Sequence, residues 1–128
     1  MRDYKFRGKR LDNGEWVYGY YISRADQTHY IITMRPNEFG KVEYPVVQVD
    51  PDTVGQLTGL YTRDGRAIYE GDIIVDDEFE TLPRVVFWHN CFARFSCTST
   101  RGIGYLALSD YDAPSVIGNI HDDPELLK

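Results

Sequence analysis

Two cysteines and a nearby histidine are the first side chains whose spacing could support chemistry. His89 stands two residues before Cys91, and Cys97 follows in the same segment. A zinc site needs pairs of ligands about two to four residues apart, and a second pair of that kind is missing here. A nucleophile made of His89 and Cys91 would need an imidazole that lowers the thiol pKa. We expect two reduced cysteines instead, with Cys97 packed inward, Cys91 in a turn, and no metal or cofactor.

Carboxylates form the second group with possible chemistry. Glu70 and Asp72 flank Gly71, and an acidic run follows Val75. Paired carboxylates can hold a hard cation or act as general acid and base. A glycine bend whose acids accept backbone N–H bonds explains the first pair, and a solvated loop explains the run. We therefore predict no catalytic residue, no metal site and no enzymatic activity.

Aromatic side chains recur at every second position of one segment, at Trp16, Tyr18 and Tyr20. Alternate residues of a strand share one face, so the three rings would form one surface. Small barrels use such surfaces to stack single-stranded nucleic acid where basic residues line the groove. Only the neighbouring N-terminal segment is basic here, and a half-buried strand requires large rings on one face. We therefore expect these rings to pack in the core.

Turn residues divide the chain into short segments that alternate in the manner of strands. Asn13-Gly14 predicts a two-residue type I′ turn and hence an N-terminal hairpin. Pro45 marks its strand as an edge strand or a bulged one. Asp123 and Pro124 begin one short helical turn. Strands are expected within residues 4–8, 16–22, 29–34, 42–49, 53–60, 73–75, 84–88, 92–97, 103–108 and 115–120.

These elements predict an all-β fold, in which an N-terminal β-meander precedes a small SH3-like β-barrel half and one short C-terminal helical turn. A chain of 128 residues fits one domain. If the domain has two sub-units, the boundary between them is expected within residues 61–66, which separate residues 1–60 from residues 66–128. No apolar stretch has the length of a signal sequence or a membrane span, which predicts a cytoplasmic protein without a membrane contact.

Charge is distributed unevenly along the chain. The formal net charge is −6, but the first ten residues carry +4, so the remainder carries −10. A mostly acidic surface repels phosphate backbones, so we do not expect nucleic-acid binding. Tyrosine-rich strand faces instead favour a protein partner.

Several short motifs occur in an order that is typical of one protein family. They are Lys5–Lys9, Gly14–Gly19, Val54–Leu60, Asp64–Arg66, Ile68–Ile74, Val116–Ile120 and Pro124–Leu127. In this order the chain resembles the YopX family of phage and prophage proteins from Gram-positive bacteria. The residues that carry the resemblance are Phe6, Arg7, Trp16, Tyr18, Gly19, Gly55, Gln56, Thr58, Gly59, Gly65, Ile68, Tyr69, Glu70, Gly71, Asp72, Gly118, Asn119 and Pro124. Residues 76–110 follow no pattern of that family.

The resemblance implies an all-β fold, a phage genome and no established activity. Its signature residues are mostly glycines, aromatics and aliphatics, which serve turns and cores rather than catalysis. We expect a non-enzymatic phage accessory protein that binds a protein of host or phage and that could also form homo-oligomers. The alternatives are a nucleic-acid-binding small β-barrel and an acidic mimic of DNA.

Overall fold

The structure is a computed structural model that describes residues 5–76, 82–90, 93–98, 106–110 and 114–127. Strands and single-turn 3-10 helices make up its regular elements, which confirms the all-β prediction. The chain divides into two compact units, Met1–Leu57 and Thr58–Lys128. None of the helices in the described ranges is long and apolar enough to cross a membrane.

The first unit is an antiparallel sheet with a small two-stranded extension. Its strands are β1 (Phe6–Lys9), β2 (Trp16–Ser23), β3 (His29–Ile32), β4 (Arg35–Pro36), β5 (Val42–Glu43), β6 (Val46–Gln48) and the start of β7 (Gly55–Tyr61). The sheet has the order β6-β3-β2-β1-β7, and β4 pairs with β5. A 3-10 helix, Pro51–Thr53, leads into β7.

The N-terminal hairpin of β1 and β2 is confirmed, but its turn differs from the prediction. Arg10 donates its N–H to the carbonyl of Glu15 at 2.9 Å, and Gly14 donates to the carbonyl of Arg10 at 3.0 Å. These bonds enclose a loop of four residues. Gly14 has a φ of 74°, whereas Asn13 has no positive φ. The predicted two-residue type I′ turn is therefore wrong, because it needs a positive φ at both positions.

Proline divides the strand that was predicted at residues 42–49. Pro45 separates β5 from β6, and β6 lies at the edge of its sheet, as the proline indicated. The strand expected at residues 29–34 is β3, which ends at Ile32.

One face of the first sheet forms a core around Ile31 and Val49, which are 0% and 1% exposed. Two glycines allow backbone to approach closely here. A Cβ atom on Gly8 would lie 3.3 Å from the side chain of Val49, and one on Gly19 would overlap the carbonyl oxygen of Ile32. The absence of side chains at both positions therefore permits the tight packing of β1, β2 and β3.

The second unit contains the end of β7 and a five-stranded antiparallel sheet. Its further strands are β8 (Ala67–Tyr69), β9 (Asp72–Asp76), β10 (Arg84–His89), β11 (Arg94–Thr98), β12 (Leu106–Ala107) and β13 (Pro114–Asn119). The sheet has the order β12-β11-β10-β9-β13, and β8 lies beside β7. Single 3-10 turns follow β12 and close the chain at Pro124–Leu127, where a helical turn was expected. The described residues form no closed barrel.

The core of the second unit consists of Ile68, Ile74, Val86, Cys97 and Leu108. The first four come from β8, β9, β10 and β11 in turn, and Leu108 comes from the 3-10 turn after β12, so side chains of all five elements meet in one cluster. Burial of these groups is the main force that holds the unit together.

One acidic residue lies where solvent was expected. Asp76 ends β9 opposite Pro114 and is only 7% exposed. The solvated loop predicted directly after Val75 therefore does not begin at this residue, because β9 continues through it. Three further acidic residues of that run, Asp77, Glu78 and Glu80, lie outside the described residues. Cys91, which was predicted to lie in a turn, is outside them as well.

Candidate functional site

Five side chains lie on one side of β1 and β2, which we call the aromatic face: Arg7, Lys9, Trp16, Tyr18 and Tyr20. Arg7 is only 5% exposed, so the other four form the accessible part of this face. The pairing of the strands places Arg7 opposite Tyr18 and Lys9 opposite Trp16. Alternate residues of a strand point the same way, so all five share one side of the sheet. The other side of the same strands faces the core of the first unit.

Two cations contact the indole ring of Trp16. Arg7 Cζ lies 4.7 Å from the ring centre, and Lys9 Nζ lies 5.5 Å from it. Contacts of this length are attractive and restrict the position of the ring. Beside it, Tyr18 and Tyr20 are 37% and 50% exposed. The expectation that these rings pack in the core is therefore wrong for both tyrosines, because the opposite face of β2 fills the core.

The local charge of this sheet is positive, although the whole chain is acidic. The strands β1, β2, β3 and β6 contain Arg7 and Lys9 and no aspartate or glutamate. Arg24, which follows β2, lies with its Cζ 4.7 Å from the ring centre of Tyr30. A surface of rings and cations attracts aromatic side chains and anionic groups.

The thiol of Cys97 is a core group. It is a free cysteine, fully buried in β11, as the sequence predicted. Burial raises the pKa of this thiol to about 12. The neutral thiol that results at physiological pH is a poor nucleophile. His89 ends β10 with its ring 5.7 Å from that of Phe87.

The bend between β8 and β9 uses its acidic residue for structure. Asp72 is 1% exposed, and its Oδ2 accepts a bond of 2.8 Å from the N–H of Tyr69, as predicted. Gly71 has a φ of 88°. It donates to the carbonyl of Val86 and accepts from the N–H of Ile120, each at 2.9 Å. Within the described ranges, no three histidine, cysteine or acidic side chains are grouped as a metal would require.

The signature residues of the first unit meet on three adjacent strands. Arg7 of β1 lies opposite Tyr18 of β2 and opposite Gly55 of β7, and it is 5% exposed. The centre of the sheet is therefore the place where these residues come together. The full set is Phe6, Arg7, Trp16, Tyr18, Gly19, Gly55 and Gln56.

The remaining signature residues lie at turns and strand contacts of the second unit. Thr58 donates its hydroxyl to the carbonyl of Ile68 at 2.7 Å, and Asn119 lies opposite Asp72. The Oδ1 of Asn119 also accepts from the N–H groups of the turn that follows it. These contacts join strands and close turns. The set is Thr58, Gly59, Gly65, Ile68, Tyr69, Glu70, Gly71, Asp72, Gly118, Asn119 and Pro124.

A family model described as YopX protein matches residues 5–128. The chain belongs to the YopX family. A search of the curated proteins finds no match. Among solved structures, this YopX chain is similar to the crystal structure of protein EF1440 from Enterococcus faecalis. The TM-score is 0.62 at 23% sequence identity, and the match covers 97% of each chain. The likeness concerns the fold.

Two features of this YopX chain were missed by sequence reasoning. One is the contact of Lys9 with Trp16, which depends on the register of β1 and β2. The other is a row of exposed side chains along β5 and β6, namely Val42, Tyr44 and Val46. The signal for the second feature was present, since apolar residues alternate around a proline that marks an edge strand.

Proposed function

We propose that this YopX protein is a non-enzymatic phage or prophage accessory protein that binds a protein of the host or the phage through its aromatic face. One observation carries the proposal. Tyr18 and Tyr20 are 37% and 50% exposed on the same side of an eight-residue strand. Large apolar patches that face water mark interaction sites on protein surfaces.

The composition and rigidity of the aromatic face support a protein partner. Tryptophan, tyrosine and arginine dominate the binding energy of protein interfaces. The rings project from a paired strand, so little conformational freedom is lost when a partner covers them. The pairing of β2 with β3 and of β3 with β6 places Tyr20 next to Ile32, and Ile32 next to Val46. The apolar surface therefore continues across the sheet.

The test is capture of a partner with a matched pair of variants. The tagged wild type, a Tyr18→Ser/Tyr20→Ser variant and a Leu11→Ser control are recovered from infected or lysogenic cells and analysed by mass spectrometry. Leu11 is 57% exposed in the loop between β1 and β2, so its variant removes an exposed apolar side chain that is not part of the aromatic face. We expect a partner that the wild type and the control retain and the double variant loses.

Affinity for the purified partner makes the test quantitative. An interface tyrosine that acts as an anchor contributes about 2 kcal/mol or more, so the double variant should bind at least about thirtyfold more weakly. Unchanged melting temperatures would show that folding is intact. A partner that binds all three proteins equally would contradict the proposal.

A second candidate is the binding of single-stranded nucleic acid to the same face. The observation that favours it is the contact of Arg7 and Lys9 with Trp16 in strands without a carboxylate. Rings that stack bases beside cations that meet phosphates are the usual elements of such sites. The remaining alternative, acidic mimicry of DNA, needs a regular array of exposed carboxylates, to which Asp72 and Asp76, 1% and 7% exposed, cannot contribute.

A further inference from the structure

The strands β3 to β6 form one long hairpin. One register runs from Tyr30↔Gln48 in the main sheet to Pro36↔Val42 in the two-stranded extension. The hydrogen bond of 3.0 Å from Thr33 N–H to the carbonyl of Pro45 continues it between the two sheets. The second strand of this hairpin, residues 42–48, lies at the edge, since β6 is the outermost strand of its sheet. The carbonyl of Gln48 accepts the N–H of Leu11 at 3.2 Å, so the edge is open before Gln48.

The even-numbered residues of this strand direct their backbone groups away from the hairpin. In an antiparallel pair, hydrogen-bonded and non-bonded residue pairs alternate. Lys41, Pro45 and Val49 make the bonds to the first strand of the hairpin. Val42, Tyr44 and Val46 therefore point their N–H and C=O groups outward, where the described residues provide them no partner. We call Val42–Val46 the open edge.

The side chains of the open edge are exposed as well. Val42, Tyr44 and Val46 are 51%, 64% and 51% exposed on one face of the strand. Pro45 lacks an N–H, but its position belongs to the inward-facing set, so the outward row of donors is intact. A long apolar strand with unpaired backbone groups is a template for pairing with another strand.

We propose that the open edge pairs with the same edge of a second copy of this chain, antiparallel about Tyr44. In this register Tyr44 lies opposite the partner's Tyr44, and Val42 lies opposite the partner's Val46. All three positions on each side present outward backbone groups, so each pair can exchange two hydrogen bonds. The two sheets then continue as one across a two-fold axis, which is the commonest symmetry of homo-oligomers.

Self-complementarity is the reason to assign a second copy rather than another strand. The two valines that meet are equal in size and in exposure, at 51% each. The charged residues fall opposite neutral ones, since Glu43 meets the partner's Pro45 and Lys41 meets the partner's Val47. Glu43 is also paired with Arg35 at 3.3 Å within its own hairpin. No like charges therefore oppose this pairing.

Sedimentation velocity over a concentration series measures the dimer directly. We expect the wild type to dimerise and a Tyr44→Lys variant to dissociate at least about tenfold more readily, because two ammonium groups would meet on the axis. Ile117→Lys is the control for added charge, since Ile117 is 42% exposed on β13 in the other sheet, and it should behave as the wild type. Circular dichroism checks that each variant is folded.

A charge exchange tests the register itself. Val42→Lys and Val46→Glu each place a charge opposite a valine and should weaken the dimer. The double variant V42K/V46E places opposite charges across both outer pairs and should restore dimerisation, with a dependence on salt. A wild type that stays monomeric at its highest attainable concentration would overturn the proposal. So would a dimer that all these variants leave unchanged, or a monomer that binds only an extended peptide from another protein.

Discussion

At the scale of single residues, two glycines differ in why they tolerate no side chain. A Cβ atom on Gly19 would overlap the carbonyl oxygen of Ile32, whereas Gly14 has open space and a φ of 74°. We expect Gly19→Ala to lower the free energy of unfolding by about 3 kcal/mol, because backbone cannot move aside as a side chain can. Gly14→Ala should cost about 1 kcal/mol of left-handed strain. Urea denaturation measures both, and equal losses would contradict the close approach of β2 and β3.

The pKa of Cys97 makes a prediction about alkaline stability. The thiol has an ordinary value of 9.0 and is raised to about 12 by burial in the fold. Below about pH 9 both states hold the proton, so the thiol adds no pH dependence. Above that pH the unfolded chain ionises while the folded chain does not. Stability should therefore fall by about 1.4 kcal/mol per pH unit as pH rises toward the folded pKa.

The thiol contribution is isolated by comparing Cys91→Ser with Cys91→Ser/Cys97→Ala by denaturant titration from pH 7 to pH 10.5. Tyrosine and lysine ionisation affects both proteins and cancels in the difference. The stability difference should be constant below about pH 9 and should shrink above it. A difference that stays constant through pH 10.5 would contradict the buried, neutral thiol.

At the scale of elements, the bend between β8 and β9 depends on one buried acceptor. Asp72 accepts the N–H of Tyr69 at 2.8 Å while 1% exposed. We expect Asp72→Ala to lower the free energy of unfolding by about 2 to 3 kcal/mol, because a buried donor loses its partner. Asp72→Asn keeps an oxygen at the same place and should lose less. Thermal denaturation compares the two, and an equal loss would mean that the acceptor is not what the bend requires.

The bend was predictable from sequence because its causes are local. A positive φ at Gly71 and an acceptor at Asp72 depend on a few neighbouring residues. Which face of β2 is exposed to solvent could not be predicted from neighbouring residues. Both faces of that strand carry aromatic residues, so alternation alone does not say which one is buried. The choice follows from residues distant in sequence: Val49 packs against Gly8, and Ile31 lies opposite Tyr21 on the buried face.

The candidate site shows the same division between local and long-range causes. Trp16, Tyr18 and Tyr20 were recognised as one surface from their spacing, and the register confirms that they share a face. Their exposure and the approach of Lys9 to Trp16 depend on contacts between strands that are distant in sequence. The open edge could be recognised only from both kinds of cause. The sequence shows the alternating apolar residues around Pro45, and the hairpin register shows which backbone groups point outward.

At the scale of the whole molecule, charge separates the two units. Residues 1–57 contain eight basic and eight acidic residues and are neutral, whereas residues 58–128 contain six and twelve and carry −6. The basic side chains of the aromatic face therefore act over a short range only, since charges are screened within about 8 Å at physiological salt. Only a partner in direct contact with this face would therefore be attracted by its cations.

This charge distribution predicts no sequence-independent affinity for nucleic acid at physiological salt. Lys9 and the nearly buried Arg7 could neutralise few phosphates. The logarithm of the binding constant falls by roughly 0.9 per phosphate for each log unit of salt on duplex DNA. Such a contact is weak near 0.15 M salt, and the net charge of −6 on the whole protein opposes the approach of a polyanion. Fluorescence anisotropy with short single-stranded and duplex DNA and RNA, at low and at physiological salt, measures it.

Single-stranded nucleic acid is the ligand that tests this prediction most strictly, because its bases can stack on the exposed tyrosines. Stacking depends less on salt than phosphate contacts do. Each stacked base contributes about 1 to 3 kcal/mol, so three rings near the upper end of that range could give micromolar affinity without many cations. Micromolar binding at 0.15 M salt that Trp16→Ala abolishes, in a variant that remains folded, would contradict the prediction and favour the nucleic-acid function. Binding that Leu11→Ser weakens equally would place the contact off the aromatic face. Absence of binding in every case would confirm the argument from charge and would rule out the nucleic-acid function of this face.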